Sequence, residues 1–207
     1  MIETIDHKWI LAGLSALISI GTIIYYVISI NSGKVKPHMF TWLIWGIVTA
    51  VVAVTQISSK GGPGSILAVI VTFNCFIVAG MAYYKGDRSF PMFDKVCLVA
   101  CIIAIAFWPM MKAPLLSLVA VTIIDTFGFI PTLRKSFKNP QEENLIVFFF
   151  YGLAYLISVF ALEKVNWLTS LYPIAIGLSA LGMVVFLAVR RHQLGHKIIH
   201  ERPAKIA

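Results

Sequence analysis

Seven stretches of this chain are each long and apolar enough to cross a bilayer: residues 9 to 30, 39 to 57, 64 to 84, 93 to 110, 114 to 132, 144 to 162 and 168 to 189. Crossing the hydrocarbon core takes about 20 apolar residues in a helix, where the backbone has no water to bond and satisfies itself along its own axis. The seven runs use most of the 207 residues, so no soluble domain remains to house separate chemistry. With 59% hydrophobic and only 13% charged residues, the chain has more apolar surface than a water-soluble domain of this size can hide. The expected fold class is an all-α integral membrane protein of seven transmembrane helices.

Residues 96 to 131 could pass for a single span, but at about 1.5 Å per residue they are far too long for one crossing. The break falls at WPMMKAP, residues 108 to 114. There Trp108 suits the membrane interface, Lys112 the surface, and Pro109 and Pro114 suit helix ends.

Seven spans put the two termini on opposite sides, and the cations say which is which. Lys8, Lys60, Lys112 and Lys164 fall on the N-terminal side. Lys34, Lys36, Lys85, Arg88, Lys95, Arg134, Lys135, Lys138, Arg190, Arg191, Lys197, Arg202 and Lys205 fall on the other. The excess of Lys and Arg marks the cytosol, so the N-terminus is expected outside and the C-terminus inside, most simply in a bacterial cytoplasmic membrane. The net charge of +8 then reads as a topology signal and a match to anionic lipid headgroups, not as a nucleic-acid footprint. MIETIDHK at the N-terminus lacks a small-residue cleavage site, so the first span is expected to be a retained anchor. Cys75, Cys97 and Cys101 all lie within spans and read as packing thiols.

A weak internal repeat is visible. Placing Gly46 on Gly152, an offset of 106, pairs His38 with Asn144, Trp42 with Phe148, Trp45 with Tyr151, Thr49 with Tyr155 and Val52 with Ser158. The spacings of three and four put each set on one helical face. Both sets follow a long basic linker, NSGKVKPH in one case and TLRKSFKNPQEEN in the other. The expected organisation is a first three-helix unit over 1–92, a linker helix over 93–112, a second three-helix unit over 113–190 and a basic cytosolic tail over 191–207. An odd-numbered unit fused to its copy would be inverted in the membrane, and one extra helix restores the parallel arrangement found in some transporters.

With this three-one-three plan and its outside N-terminus, the run from Pro131 through Arg134, Lys135 and Ser136 resembles the PQ-loop and SWEET group of membrane proteins, whose repeat carries a proline near the end of its first helix and then a short basic segment. Here Thr132 follows the proline, and the first repeat has Ile24 or Tyr25 at that place. The literal PQ, Pro140 and Gln141, lies later in the linker. The resemblance covers nearly the whole chain in plan and about ten residues in motif. It implies a transporter-like fold that moves sugars, amino acids, carboxylates or other small organic solutes. It also implies a substrate-pocket asparagine on the third span, here Asn74, with Ser179 or Ala180 at the matching place on the last span.

The remaining candidates follow from residue chemistry. Asp125 lies inside the fifth span, where a charged carboxylate costs about 2.5 to 3.5 kcal/mol to insert. Such a residue faces a cavity, a partner or a proton, so Asp125 is a candidate for proton coupling or a structural hydrogen bond. Pro131 removes a backbone hydrogen bond near the cytosolic mouth and reads as a gate hinge or a plain helix end. Asn74 reads as a pocket residue or as one end of an interhelical bond. Trp42, Trp45, Thr49 and Gln56 on one side, with Tyr151, Tyr155 and Ser158 on the other, suit a pocket wall or an interfacial belt and packed bundle.

His192, His196 and His200 recur every four residues, but Gly195 is expected to interrupt that helix and neighbouring cations disfavour a metal. No HExxH, GxSxG or phosphate-binding glycine loop occurs. GGPG, residues 61 to 64, reads as a tight turn, and GLSALG, residues 177 to 182, as a close-packing surface. No enzyme activity, cofactor or metal is expected. The expected partners are a small-molecule solute and the bilayer, and a homo-oligomer is compatible with this plan. Two alternatives stand beside a general solute transporter. One is a vitamin facilitator, because nicotinamide riboside transporters share the three-one-three plan and a tryptophan pair similar to WLIW, residues 42 to 45. The other is a receptor similar to the KDEL receptors, in which Arg134, Lys135, Lys138, Arg190 and Arg191 would contact an acidic partner.

Overall fold

A computed structural model describes residues 6–35, 37, 39–86, 92, 95–96, 99, 102–103, 114–127, 133, 136–137 and 140–200. Its helices are α1 (His7–Asn31), α2 (Met39–Ser58), α3 (Ile66–Lys85), α4 (Pro114–Phe127), α5 (Leu145–Phe160) and α6 (Trp167–His200), with 3-10 turns at Gly62–Ser65 and Pro140–Glu142. No strand occurs among the described residues. Four segments, His7–Asn31, Met39–Ser58, Gly62–Lys85 and Trp167–Leu194, are long and apolar enough to cross a membrane, while the apolar parts of α4 and α5 are shorter. The chain is an all-α integral membrane protein. Most of the expected fourth span lies outside the described residues, as do Pro131, Arg134, Lys135 and Lys138; Lys95, Val96, Val99, Ile102 and Ile103 are helical and exposed.

The first helix shows why these segments suit lipid. Its buried face carries Ala12, Ser15, Ser19, Thr22 and Ile23, while Leu14, Leu17, Ile20, Ile24 and Ile28 point outward, Leu17 with 69% of its surface exposed. Apolar side chains outward and small polar ones inward reverse the soluble pattern, as a hydrocarbon solvent requires. Most buried hydroxyls are satisfied within their own helix. Ser15 donates to the carbonyl of Ala12 at 2.9 Å, Thr22 to Ile18 at 2.7 Å and Thr122 to Leu118 at 2.7 Å.

α3 packs against both α1 and α2, and α6 packs against both α4 and α5. The two groups join through α1 on α5 and α2 on α4, with smaller contacts of α2 on α6 and α3 on α5. Exchanging α1, α2 and α3 for α4, α5 and α6 turns each of these contacts into another of them. The first residues of α2 and α5, Met39 and Leu145, are separated by the offset of 106 that aligns the sequence. α5 and α6 approach each other closely at two glycines. A Cβ on Gly177 would lie 2.9 Å from Leu156 Cδ2, and one on Gly152 would lie 2.9 Å from Leu181 Cγ, so GLSALG does provide a close-packing surface through its first glycine.

The helix ends gather into two clusters. At one end Lys8 Nζ donates to the carbonyl of Glu163 at 3.3 Å, and the Glu163 amide donates to the carbonyl of Gly61 at 2.9 Å. The turn before α3 presses on the connection between α5 and α6 so closely that a Cβ on Gly64 would stand 2.7 Å from the Leu162 amide nitrogen. At the other end Lys85 Nζ donates to Asn31 Oδ1 at 2.7 Å, and Asn144 Nδ2 donates to the Tyr25 hydroxyl at 3.2 Å.

One expectation changes, and two arginines of α6 find bonds within the chain. α6 runs through Gly195 to His200, so the glycine does not interrupt it; one interior glycine costs a helix only about 1 kcal/mol. Arg190 and Arg191, offered above as contacts for an acidic partner, are engaged within the chain. Arg190 Nε donates to the carbonyl of Phe137 at 2.8 Å with its guanidinium 3.9 Å from the Phe137 ring centroid. Arg191 donates to the carbonyls of Pro140 at 3.1 Å and Glu143 at 2.7 Å. A planar fork of donors suits several backbone carbonyls at once.

Candidate functional site

Near the middle of the first three helices small polar residues meet across helices. Ser19 is central in α1, Thr49 in α2, and Asn74 and Cys75 in α3. Asn74 Nδ2 donates to Ser19 Oγ at 3.1 Å, and both residues are buried. The Cys75 thiol lies beside the Thr49 hydroxyl, which itself donates to the carbonyl of Trp45 at 2.8 Å. The Tyr151 side chain of α5 approaches Asn74, yet its hydroxyl has no hydrogen-bond partner.

The second group of helices completes this layer. Asp125 on α4 is 4% exposed and is the one charged side chain buried among the described residues. Tyr172 on α6 donates from its hydroxyl to Asp125 Oδ2 at a long 3.4 Å, while Asp125 Oδ1 has no partner. Tyr155 on α5 meets Tyr172 edge to face, with ring centroids 6.0 Å apart. Cys75, Asp125, Tyr155 and Tyr172 are close enough to act on one another electrostatically. All six described helices thus contribute, with an amide, a carboxylate, phenols and aromatic faces converging where the bundle is buried. Such a set suits recognition of a small organic molecule: apolar and aromatic walls with a few aimed polar atoms.

Of the residues expected from sequence, Asn74, Thr49, Tyr151, Tyr155 and Asp125 come together here. Ser158 is buried one turn further along α5, its hydroxyl donating to the carbonyl of Tyr155 at 2.7 Å. Trp45 is half-buried and meets the ring of Trp42 edge to face at 5.3 Å, and Trp42, only 8% exposed, packs on Tyr26 at 5.2 Å. This trio leads from the layer towards the end that holds Asn31 and Asn144, and Trp42 turns inward instead of joining an interfacial belt. Ser179 is half-buried and makes no hydrogen bond to the layer, whereas neighbouring Ala180 is buried. Pro131 lies outside the described residues. Among the described residues no three of His, Cys, Asp or Glu converge to hold a metal ion.

Three elements escaped the sequence reading. Ser19 and Tyr172 are the partners of Asn74 and Asp125, and the run Ser15, Ser19, Thr22 on one face of an otherwise apolar helix was the available signal for the first. The third is Pro173, inside α6. Proline has no amide hydrogen, so the carbonyl of Thr169, four residues earlier, loses its helical donor. Gln56 Nε2, from α2, donates to that carbonyl at 2.6 Å. Gln56 therefore fills a gap in another helix and ties the two groups together, while its Oε1 has no partner.

Compared with known protein families, characterised proteins and solved structures, the chain matches none.

Proposed function

We propose that this protein is a membrane transporter of a small organic solute, working by alternating access of two three-helix units around the buried polar layer. One observation carries the reading: Asn74, Thr49, Tyr151, Tyr155 and Asp125, from both halves of the chain, converge in the core with Asp125 Oδ1 and the Tyr151 hydroxyl left without partners. Buried polar atoms without partners are expensive, and a bound solute would supply the missing bonds.

The two units are the first and second groups of helices, related as parallel repeats, with the linker helix over 93–112 restoring their orientation. The exchangeable packing scheme and the common offset of α2 and α5 support this, and with it membership of the PQ-loop and SWEET group. The turn at Gly61 to Ser65 on Leu162 and Glu163 would form the outer closure. The ladder of Tyr26, Trp42 and Trp45 would form the cytosolic approach. Asp125 is the residue for ion coupling, and Pro131 is kept as hinge of the inner gate. The site of action is the cytoplasmic membrane, with the end carrying Arg190 and Arg191 in the cytosol beside anionic headgroups.

Counterflow in proteoliposomes tests the reading. A labelled solute from a panel of sugars, amino acids, amines, carboxylates and vitamins should accumulate against its unlabelled form faster than in empty liposomes. No movement of any of them would contradict transport.

A further inference from the structure

We infer that the solute is a small organic cation, carrying a protonated nitrogen beside an apolar or aromatic frame, with the Asp125 carboxylate as its anchor. This rests on reading the buried layer as a solute site. Among the described residues Asp125 is the one buried charged side chain, and no counter-charge accompanies it. Within α1 to α6, Lys, Arg and His occur only at His7 and Lys8, at Lys85, and from Arg190 onward, all at helix ends.

An anion entering the layer would meet a carboxylate with no cation to offset the repulsion, which water would no longer screen. A neutral polyol would find partners in Asn74 and the phenols but leave the carboxylate uncompensated. A protonated nitrogen answers both needs. It donates to Asp125 Oδ1, which has no partner, and to Oδ2, whose bond from Tyr172 is long at 3.4 Å. The crossed rings of Tyr155 and Tyr172, with Tyr151 near Asn74, then offer π-faces that attract a cation and bury its frame.

The test uses three ligands with one ring and three charges: benzylammonium, benzyl alcohol and benzoate, at millimolar concentration. Thermal unfolding of the purified full chain in micelles is followed with each. Benzylammonium should stabilise the protein at concentrations about tenfold lower than benzyl alcohol does, and benzoate should give no stabilisation. Asp125→Asn should bring benzylammonium down to the level of benzyl alcohol, and Asp125→Glu should keep the wild-type order. Benzoate matching benzylammonium, no preference among the three, or a preference that survives Asp125→Asn would each overturn the inference. If Asp125→Asn does not fold, the wild-type ranking decides alone. Counterflow separates the two claims: Asp125-dependent binding of the cation without any flux sinks transport and leaves the site, whereas flux of anions alone leaves transport and sinks the cation.

Discussion

Replacing Gln56 with leucine should destabilise the bundle only while Pro173 is present. In the wild type the Thr169 carbonyl is bonded by Gln56 Nε2 at 2.6 Å because Pro173 cannot donate to it. Removing that donor strands a buried carbonyl at a cost of about 1 to 3 kcal/mol. Leucine also removes the partnerless Gln56 Oε1, which returns part of the loss, so the net effect is about 1 to 2 kcal/mol. In a Pro173→Ala background residue 173 regains its amide hydrogen and closes the helical bond to Thr169. There Gln56→Leu should cost less than about 0.5 kcal/mol, leaving a coupling energy of about 1 kcal/mol between positions 56 and 173. The assay is reversible unfolding of the four proteins in mixed micelles by titration with a denaturing detergent. Equal losses in both backgrounds would refute the reasoning, because the glutamine would then not be standing in for the missing backbone donor.

Five further substitutions probe other parts of the structure. Ser19→Ala breaks the 3.1 Å bond to Asn74 from the far side and should cost about 1 kcal/mol of stability with little loss of counterflow; Asn74→Ala should cost similar stability but lower counterflow about tenfold or more, a loss of about 1.4 kcal/mol, and equal effects on counterflow would make Asn74 purely structural. Gly177→Leu drives a side chain into Leu156 and should lower stability by about 1 to 3 kcal/mol in the same detergent titration, whereas Gly182→Ala, which meets no atom within 4 Å, should be nearly neutral. Arg191→Ala frees the carbonyls of Pro140 and Glu143 and should speed backbone hydrogen exchange in residues 141 to 144, with no change if the guanidinium merely rests there.

The membrane class was legible because a run of twenty apolar residues has few other uses, and the positive-inside count put Lys8, Lys60 and Lys164 at one end and Lys85, Arg190 and Arg191 at the other before any packing was known. Asn74 and Asp125 stood out because polar groups in hydrocarbon are costly enough to need partners. Who those partners are depends on which helices touch, and helix pairing leaves little trace in one apolar sequence. Ser19 and Tyr172 therefore became visible only when α1 met α3 and α4 met α6. Gln56 shows the same limit differently: on its own helix it looks like one more polar group near the aromatic stripe, and its role is written in the proline of another helix. Arg190 and Arg191 read as surface charge from sequence, since nothing in it signals that the carbonyls of Phe137, Pro140 and Glu143 meet them.

Cys75 offers the most direct measurement of whether the layer is a solute site reached from both sides. It is buried beside Thr49 and within electrostatic reach of Asp125 and Tyr155, so with Cys97 and Cys101 changed to serine it becomes a native reporter at the site. A membrane-impermeant thiol reagent applied to oriented vesicles should label Cys75 slowly from either face, with a transported solute changing both rates. A thiol that stays unlabelled from both faces, while the unfolded protein labels fully, would contradict alternating access to this layer.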